Sequence, residues 1–333
     1  MKLIALLLTS ASVSLLSACV GERSLEKTAV FVSAKMSDAS AVDVRNLPAV
    51  LASEQASRRI LLLDSSKDWN SPDAVLWSWN PLKADGMPAK YAEWFGNPSD
   101  AKPVLGATHV LVAASKGGVA LVRVRDSRVV RFMYAGGNVH SACLLPDGNI
   151  AVASSDGNML TVFAAKNAAE GVPCASKKTY PLEFAHGVVW DASQKILWAL
   201  GKKTLEAYKY NFDSDSPELE KTAEYPLPEK AVVGHDLYPL PSSKIMFITG
   251  HKGVVLFDSV SRKFADVCGV GRIKSVSLSS PDGEIISLIP EVKWWSASVS
   301  FGASKTRRVG TLDGGRIYKA RWFLPDGFSE KRG

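Results

Sequence analysis

Short apolar runs separated by Gly, Pro, Asn and Asp recur along most of the 333-residue chain. Val, Ile and the aromatic residues that fill these runs favour β-strands, and the separating residues are those that turns require. The segment 138–149 shows the pattern clearly, because a histidine opens an apolar strand that ends in a Pro-Asp-Gly turn. Since no long helical periodicity interrupts the runs, the sequence predicts an all-β protein.

The pattern of segment 138–149 occurs six times, each time with a basic residue at the start of the strand. These residues are His109, His140, His186, His235, Lys274 and Lys319. They are spaced by 31, 46, 49, 39 and 45 residues, and most of these intervals are near the length of a four-stranded propeller blade. The sequence therefore predicts a single six-bladed β-propeller whose inner strands start with these six residues.

Two strands near the N-terminus lack an inner strand of their own. They cover residues 59–64 and 74–79, whereas the last repeat, at Lys319, has no outer strands after it. We expect the N-terminal strands to complete the last blade by pairing with the C-terminal inner strand, because this closure removes an open sheet edge.

Composition and charge exclude several classes of protein. The chain is 46% hydrophobic and 22% charged, which is ordinary for a globular protein. Its net charge of +7, with a basic cluster at residues 305–308, is interpreted as a solvated surface. No nucleic-acid motif is present, so nucleic acid is not an expected partner. The absence of a P-loop and of a Gly-x-Ser-x-Gly segment leaves nucleotide-binding and serine-hydrolase functions without support. We expect a monomer.

The first residues have the pattern of an export signal. A positive start is followed by an apolar stretch, residues 3–16, that is too short to span a bilayer. It ends in Leu16-Ser17-Ala18-Cys19, which resembles the lipobox of bacterial lipoproteins. The resemblance implies that residues 1–18 are removed and that Cys19 is lipidated, while the alternative is a plain secretory signal. Val20 favours the outer membrane, with the orientation left open.

The sequence also predicts two domain boundaries, and it leaves the pairing of two cysteines open. Residues 19–57 are predicted to be a tether and residues 58–333 the propeller. Cys143 lies in an apolar strand and is expected to pack as a small hydrophobe. Cys174 and Cys268 lie in loop-like segments, and whether they pair is left open.

Several segments together resemble a family of uncharacterised bacterial lipoprotein propellers, many of them from Bacteroides-type gut bacteria. The matching segments are residues 97–104, 117–122, 135–142, 146–150, 186–191, 234–237 and 319–322. The resemblance covers residues 58 to 325 and implies the six-bladed fold. Because the family is a domain of unknown function, it implies no activity.

The six basic residues are the predicted functional site. His109, His140, His186 and His235 could hold a divalent metal, and His140 and His186 could act as general base and acid. Lys274 and Lys319 would add positive charge suited to an anion.

Three hypotheses follow from this site. The first is binding of a glycan or another anionic small molecule at the channel mouth. The second is a lyase or glycosidase, metal-assisted or based on histidine, and the third is a protein-interaction scaffold in which the six residues are structural. Trp294 and Trp295 are the expected surface for stacking on a sugar.

Overall fold

The computed structural model describes residues 48–166, 168–241, 243–280, 283–302 and 308–330, which form six antiparallel sheets of four strands each. The predicted signal peptide, the lipidation site at Cys19 and basic residues 305–307 lie outside the described residues. In chain order the strands are β1 (Ala49–Glu54), β2 (Arg59–Asp64), β3 (Val75–Trp79), β4 (Pro98–Val104), β5 (His109–Ala114), β6 (Gly118–Arg123), β7 (Val129–Tyr134), β8 (Val139–Leu144), β9 (Ile150–Ser154), β10 (Met159–Phe163), β11 (Lys177–Pro181), β12 (Gly187–Asp191), β13 (Ile196–Leu200), β14 (Thr204–Tyr210), β15 (Leu219–Pro226), β16 (Asp236–Pro239), β17 (Ile245–Thr249), β18 (Val254–Asp258), β19 (Lys263–Cys268), β20 (Ser275–Leu278), β21 (Ile285–Leu288), β22 (Ser298–Phe301), β23 (Arg308–Thr311) and β24 (Ile317–Trp322). The predicted six-bladed β-propeller is confirmed.

The ring closes where the two ends of the chain meet. The sheet that contains the last strand, called here sheet 6, has the strand order β24-β1-β2-β3. Three N-terminal strands thus complete the sheet that the last strand begins. Phe323 N–H donates to the carbonyl of Ala49 at 2.9 Å, beside the paired strands. The closure is the predicted one, but it contains a strand that the sequence did not reveal. Strand β1 lies before residue 58, inside the segment predicted to be a tether.

Each sheet presents its first strand to the central channel. Sheets 1 to 5 start with β4, β8, β12, β16 and β20, and sheet 6 places β24 in this position. Each inner strand contacts the next one around the ring. Five of the six predicted inner strands are correct. In sheet 1 the inner strand is β4, whereas His109 opens the second strand, β5.

Apolar side chains fill the spaces between neighbouring sheets. Val188 and Leu197 of sheet 3 pack with Leu160 of sheet 2, and Trp198 of sheet 3 packs edge-on against Phe257 of sheet 4, with ring centroids 5.0 Å apart. Because both faces of each sheet are covered by a neighbour, the strands are apolar along much of their length.

The connections between strands are short and contain little helix. Three 3-10 helices occur in the described part of the chain, at Pro81–Lys83, Ala89–Phe95 and Glu229–Ala231. No helix among the described residues is long and apolar enough to cross a membrane. Cys143 and Cys174 are buried free thiols. The side chain of Cys268 lies outside the described part of the structure, so its pairing with Cys174 stays an open question.

Candidate functional site

One end of the channel opens into a cavity of about 340 Å³, called here the mouth cavity. Its walls come from loops and strand starts of all six sheets. The lining residues are Gln55, Asn97, Ser115, Asn138, His140, Ser155, Asp156, Phe184, His186, His235, Lys274, Trp294 and Tyr318. Four of the six predicted site residues are among them, namely His140, His186, His235 and Lys274.

Three of these residues occupy equivalent positions, one residue before an inner strand. The backbone N–H of His186, His235 and Lys274 each donates to a carbonyl at the end of the second strand of its sheet, always at 2.8 Å. Gly187 lets the inner strands that follow His186 and His235 approach closely. A Cβ at residue 187 would lie 2.6 Å from Cβ of Leu237 on the next inner strand. The imidazoles of His186 and His235 are consequently 5.6 Å apart between ring centroids.

His140 and Tyr318 reach the same cavity through irregularities in their strands. The pairing of β8 with β9 shifts between Val139 and Ser141, so His140 is an extra residue. A similar shift in the pairing of β24 with β1 lies between Ile317 and Ala320. A bulge of this kind re-aims a side chain out of the regular alternation. It places the Tyr318 ring 5.4 Å from the His140 ring.

The three imidazoles are buried and neutral. Burial, reinforced by the charge of Lys319, holds the pKa of His140 well below its ordinary value, and burial has the same effect on the pKa of His186. The pKa of His235 is lowered to about 3 by burial and by the charge of Lys274. His186 Nδ1 lies 3.3 Å from the carbonyl of Phe184, so we assign its proton to Nδ1 and leave Nε2 as an acceptor facing the cavity. His140 Nδ1 has no hydrogen-bond partner among the described residues.

Among the described residues, Lys274 is the one cation that lines the mouth cavity. Its Nζ lies 3.3 and 3.4 Å from the two ring nitrogens of His235, and no described carboxylate forms an ion pair with it. Burial and the nearby charge of Lys319 lower the pKa of Lys274 to about 8. At neutral pH it therefore remains mostly protonated, as a half-buried charge without a counterion.

Lys319 does not point into the mouth cavity as predicted. It lies deeper in the channel in a group called here the channel ion cluster, which consists of Asp100, Lys102, Asp236, Lys319 and Arg321. Lys319 Nζ donates to Asp236 Oδ1 at 3.0 Å and to the carbonyl of His140 at 3.1 Å. Because the bulge shifts the register of β24, Tyr318 takes the position predicted for Lys319 and the lysine turns down the channel.

Arg321 joins the two carboxylates of the channel ion cluster. Its Nη2 donates to Asp100 Oδ1 at 2.8 Å and to Asp236 Oδ1 at 2.7 Å, and Nη1 donates to Asp236 Oδ2 at 2.8 Å. Although burial opposes ionisation of Asp100, the charges of Arg321 and Lys319 hold its pKa below the ordinary value. The ion pairs of the cluster join sheets 1, 4 and 6 across the channel. Asp236 therefore serves as an ion-pair partner of Lys319 and Arg321.

His109 lies away from the other histidines. His109 pairs with Val104, the last residue of β4. Asn97, which lines the mouth cavity, precedes the first residue of β4. His109 therefore lies on the face of the ring opposite to the mouth. Its Nδ1 contacts Thr108 Oγ1 at 2.9 Å, and its pKa is lowered by burial and by Arg123. The prediction that His109 joins the ring of basic residues is not met, because the inner strand of sheet 1 is β4.

The histidines at the mouth do not have the geometry of a metal site. His140 and His186 are stacked, with ring centroids 4.1 Å apart and planes inclined by 12°. The lone pairs of stacked imidazoles lie in parallel planes and do not converge on one ion, while His109 is on the other face. Within the described ranges, no three His, Cys, Asp or Glu residues form a group that could hold a metal ion.

The rim of the mouth cavity carries aromatic and polar groups. Trp294 is 46% exposed, and its Nε1 donates to Gln55 Oε1 at 3.1 Å, which fixes the ring at the cavity edge. The Phe184 ring packs against the His186 ring, with centroids 4.1 Å apart and planes inclined by 33°. Asp156 accepts a hydrogen bond from Asn138 Nδ2 at 3.0 Å. It is the one carboxylate that the described part of the chain contributes to the lining. Trp294 thus has the exposure predicted for a stacking surface, whereas Trp295 is not among the lining residues.

Comparison with known sequences shows the family of the chain. A family model described as a family of unknown function (DUF6528) matches residues 2–332. The chain belongs to this family. No curated protein matches the DUF6528 chain.

The solved structures that resemble the chain are distant in sequence. A protein of unknown function from Bacteroides caccae is 12% identical, with a TM-score of 0.53 over 82% of the DUF6528 chain and 98% of the other. The hydrazine synthase of Kuenenia stuttgartiensis is 11% identical, with a TM-score of 0.46 over 65% of this chain. The WD40 repeats of RRP9 are 13% identical, with a TM-score of 0.46 over 63%. The DUF6528 chain spans 66% and 61% of the lengths of the last two, less than two thirds of either.

Proposed function

We propose that this protein binds a small hydroxylated carboxylate, such as a sugar acid or the acidic end of a glycan, in the mouth cavity. The observation that carries the proposal is the charge of Lys274, which is half-buried and has no carboxylate partner among the described residues. A buried charge is costly unless it is paired, so an anionic ligand would supply the missing counterion.

The other lining groups suit the hydroxyls of such a ligand. Nε2 of His186 is an acceptor, and the Tyr318 phenol, whose pKa is raised by burial, remains a donor. Asp156 belongs to sheet 2, across the cavity from Lys274 in sheet 5, and can accept from a hydroxyl at the far end of the ligand. The exposed face of Trp294 offers a surface for a sugar ring.

Binding fits the imidazoles better than proton transfer does. A general base works best with a pKa near the operating pH, whereas the pKa values of His140, His186 and His235 lie far below neutrality. The two carboxylates beneath them are already engaged by Arg321 and Lys319. These groups support recognition of a ligand by neutral imidazoles, rather than a lyase or glycosidase.

Calorimetric titration with galacturonate and with galactose tests the proposal at pH 7. Galacturonate should bind, and galactose should bind much more weakly. Lys274→Met should weaken galacturonate binding by about 10- to 150-fold, because a charge-assisted hydrogen bond is worth about 1.5–3 kcal/mol. Lys178→Met, at an exposed ion pair, is the matched control and should leave binding unchanged.

The pH dependence of binding gives a second readout. Because the pKa of Lys274 is about 8, affinity for galacturonate should fall as the pH rises above that value. Equal affinity for both sugars, or full affinity in Lys274→Met, would refute the role of Lys274. If galacturonate does not bind, gluconate and oligogalacturonate should be titrated, and failure of all three would refute the ligand class.

We further propose that the chain is exported and held at a membrane by lipid on Cys19, in the outer membrane of the cell envelope. The support is the segment Leu16-Ser17-Ala18-Cys19 after an apolar run. Acyl chains on one residue would tether the propeller through the segment before β1. Cys19→Ser should move the protein from the membrane fraction to the soluble fraction. Persistence at the membrane would exclude a lipid anchor at this residue.

A further inference from the structure

A second cavity, of about 380 Å³, lies at the other end of the channel and is called here the distal cavity. Its walls are mainly apolar and come from the last residues of four inner strands and from the C-terminal segment. The apolar lining residues include Val104, Leu144, Leu145, Val189, Trp190 and Phe212. Four charged side chains also line it, namely Lys102, Lys195, Asp326 and Glu330. A largely apolar cavity of this size with a few polar groups is typical of a site for a small molecule.

Lys102 places a positive charge at the floor of the distal cavity. Its Nζ donates to Ser141 Oγ and to the carbonyl of Val188, both at 2.8 Å. The nearest carboxylate oxygen, Asp100 Oδ2, is 3.8 Å away, which is beyond hydrogen-bonding distance. The third N–H of Lys102 is therefore left without a close acceptor among these groups.

The channel ion cluster contains more basic than acidic side chains. With every member ionised, three cations, Lys102, Lys319 and Arg321, face two carboxylates. Burial lowers the pKa of Lys102, and the charge of Asp100 opposes this shift. Lys319 and Arg321 both lie within 3.0 Å of Asp236, and Arg321 also binds Asp100. Lys102 is the member with the weakest pairing, and it is also the member that lines the distal cavity.

Two exposed apolar residues form part of the rim. Leu105 and Phe212 are 45% and 47% exposed, and both have positive φ, 54° and 57°. Bulky residues rarely adopt this conformation, so the surrounding structure must hold it. The Glu330 carboxylate accepts hydrogen bonds from the backbone N–H groups of Leu105 and Gly106. The C-terminal segment thus braces one side of an apolar opening.

We propose that the distal cavity binds a small monocarboxylate with an apolar body, its carboxylate directed to Lys102 and its body packed against Trp190, Val189 and Leu145. The carboxylate would accept the free N–H of Lys102 and face the cations of the cluster as a third negative charge. The apolar body would cover surface that is otherwise open to water at the rim. This site does not depend on the ligand proposed for the mouth.

Octanoate, 4-phenylbutanoate and 1-octanol distinguish the parts of the proposal when titrated into the full-length chain and followed by tryptophan fluorescence and calorimetry. We expect one equivalent of octanoate or 4-phenylbutanoate to bind. The better of the two identifies an alkyl or an aryl body. We expect 1-octanol to bind about tenfold or more weakly, because it lacks the charge that Lys102 recognises.

Two variants locate the site. Ala192→Trp fills the cavity from a partly exposed position and should abolish binding, whereas Lys274→Met at the mouth should leave it unchanged. Lys102→Met should bring the affinity for octanoate down to that for octanol. Because this variant removes a member of the cluster, its folding must be checked by circular dichroism, and Ala192→Trp decides the outcome if it does not fold. Absence of binding, unchanged binding in Ala192→Trp, loss in Lys274→Met, or equal affinity for octanol and octanoate would overturn the proposal.

Discussion

Lys274 and Lys319 occupy corresponding places in the repeat of the sequence, yet they have opposite surroundings. Lys319 is 1% exposed and donates to the Asp236 carboxylate at 3.0 Å. Lys274 lies above it at the mouth, against the ring of His235, without a described carboxylate partner. The difference arises from one irregularity in β24, which turns Lys319 down the channel and puts Tyr318 at the mouth.

The contrast separates a structural charge from one that is available to a ligand. A paired buried cation stabilises the fold as long as its partner is present, because each charge compensates the desolvation of the other. A buried cation without a carboxylate partner adds little to stability and attracts anions. The nature of the neighbours, rather than the type of residue, therefore indicates which lysine has a functional role.

The largest expected effect is on the stability of the Lys319→Met variant. Removing this cation takes a hydrogen-bond donor from Asp236 and from the carbonyl of His140. A hydrogen bond to a charged group is worth about 1.5–3 kcal/mol, so a loss of this order is expected. Lys274→Met should leave the free energy of unfolding unchanged or slightly increased, because it removes a poorly compensated charge. Urea unfolding of both variants measures the difference. Equal losses in the two would mean that the pairing of Lys319 does not distinguish it from Lys274.

An intermediate effect is expected from acid on the three imidazoles of the mouth. Their pKa values in the folded protein lie below the unfolded value of about 6.5, so the unfolded chain binds more protons below that pH. Their contribution to stability is therefore complete above pH 6.5 and is lost as the pH falls. Each imidazole contributes a slope of at most about 1.4 kcal/mol per pH unit.

Urea unfolding between pH 7 and pH 5 tests this slope, since most carboxylates stay ionised in that range. The His235→Gln variant should show a shallower decline than the unmodified protein. The same decline in both would show that His235 is not the neutral, buried group that its surroundings indicate.

The smallest effect is expected for His109→Ala. His109 lies on the other face of the ring, half-buried beside Thr108 and Arg123. We expect a change in stability of about 0.5 kcal/mol or less, and galacturonate binding like that of the unmodified protein. Loss of binding comparable to that of Lys274→Met would place His109 in the site after all.

The sequence was sufficient for the fold because the repeat combines two independent signals. Alternation of apolar runs with turn residues predicts strands, and the spacing predicts blades. The position of the inner strand of sheet 1 was missed, since β4 contains two prolines, Asp100 and Lys102, which are uncommon in a central strand. The signal was the short first interval of 31 residues. Ser99 is the extra residue at the bulge of β4, as His140 is in β8. The interval between them is 41 residues (140 − 99), which is similar to the intervals between the later inner strands.

The site was only partly predictable for a similar reason. His186, His235 and Lys274 were placed together correctly because each precedes a regular inner strand. Tyr318 was not predicted as part of the site, and Lys319 was predicted at the mouth rather than in the channel ion cluster. Bulges change which side of a strand a residue faces and leave no mark in the hydrophobic pattern. Strand β1 was missed because the residues before 58 contain few long apolar runs.

The mouth cavity and the channel ion cluster both depend on the strand that closes the ring. Strand β24 is made last, and it supplies Tyr318 to the mouth cavity and Lys319 and Arg321 to the channel ion cluster. Sheets 1 to 5 can pair as they emerge, while β1 to β3 wait with an open edge. A chain that stops before Ile317 retains all five histidines, yet it cannot seal the channel. We therefore expect no ligand binding at the mouth until β24 has paired with β1.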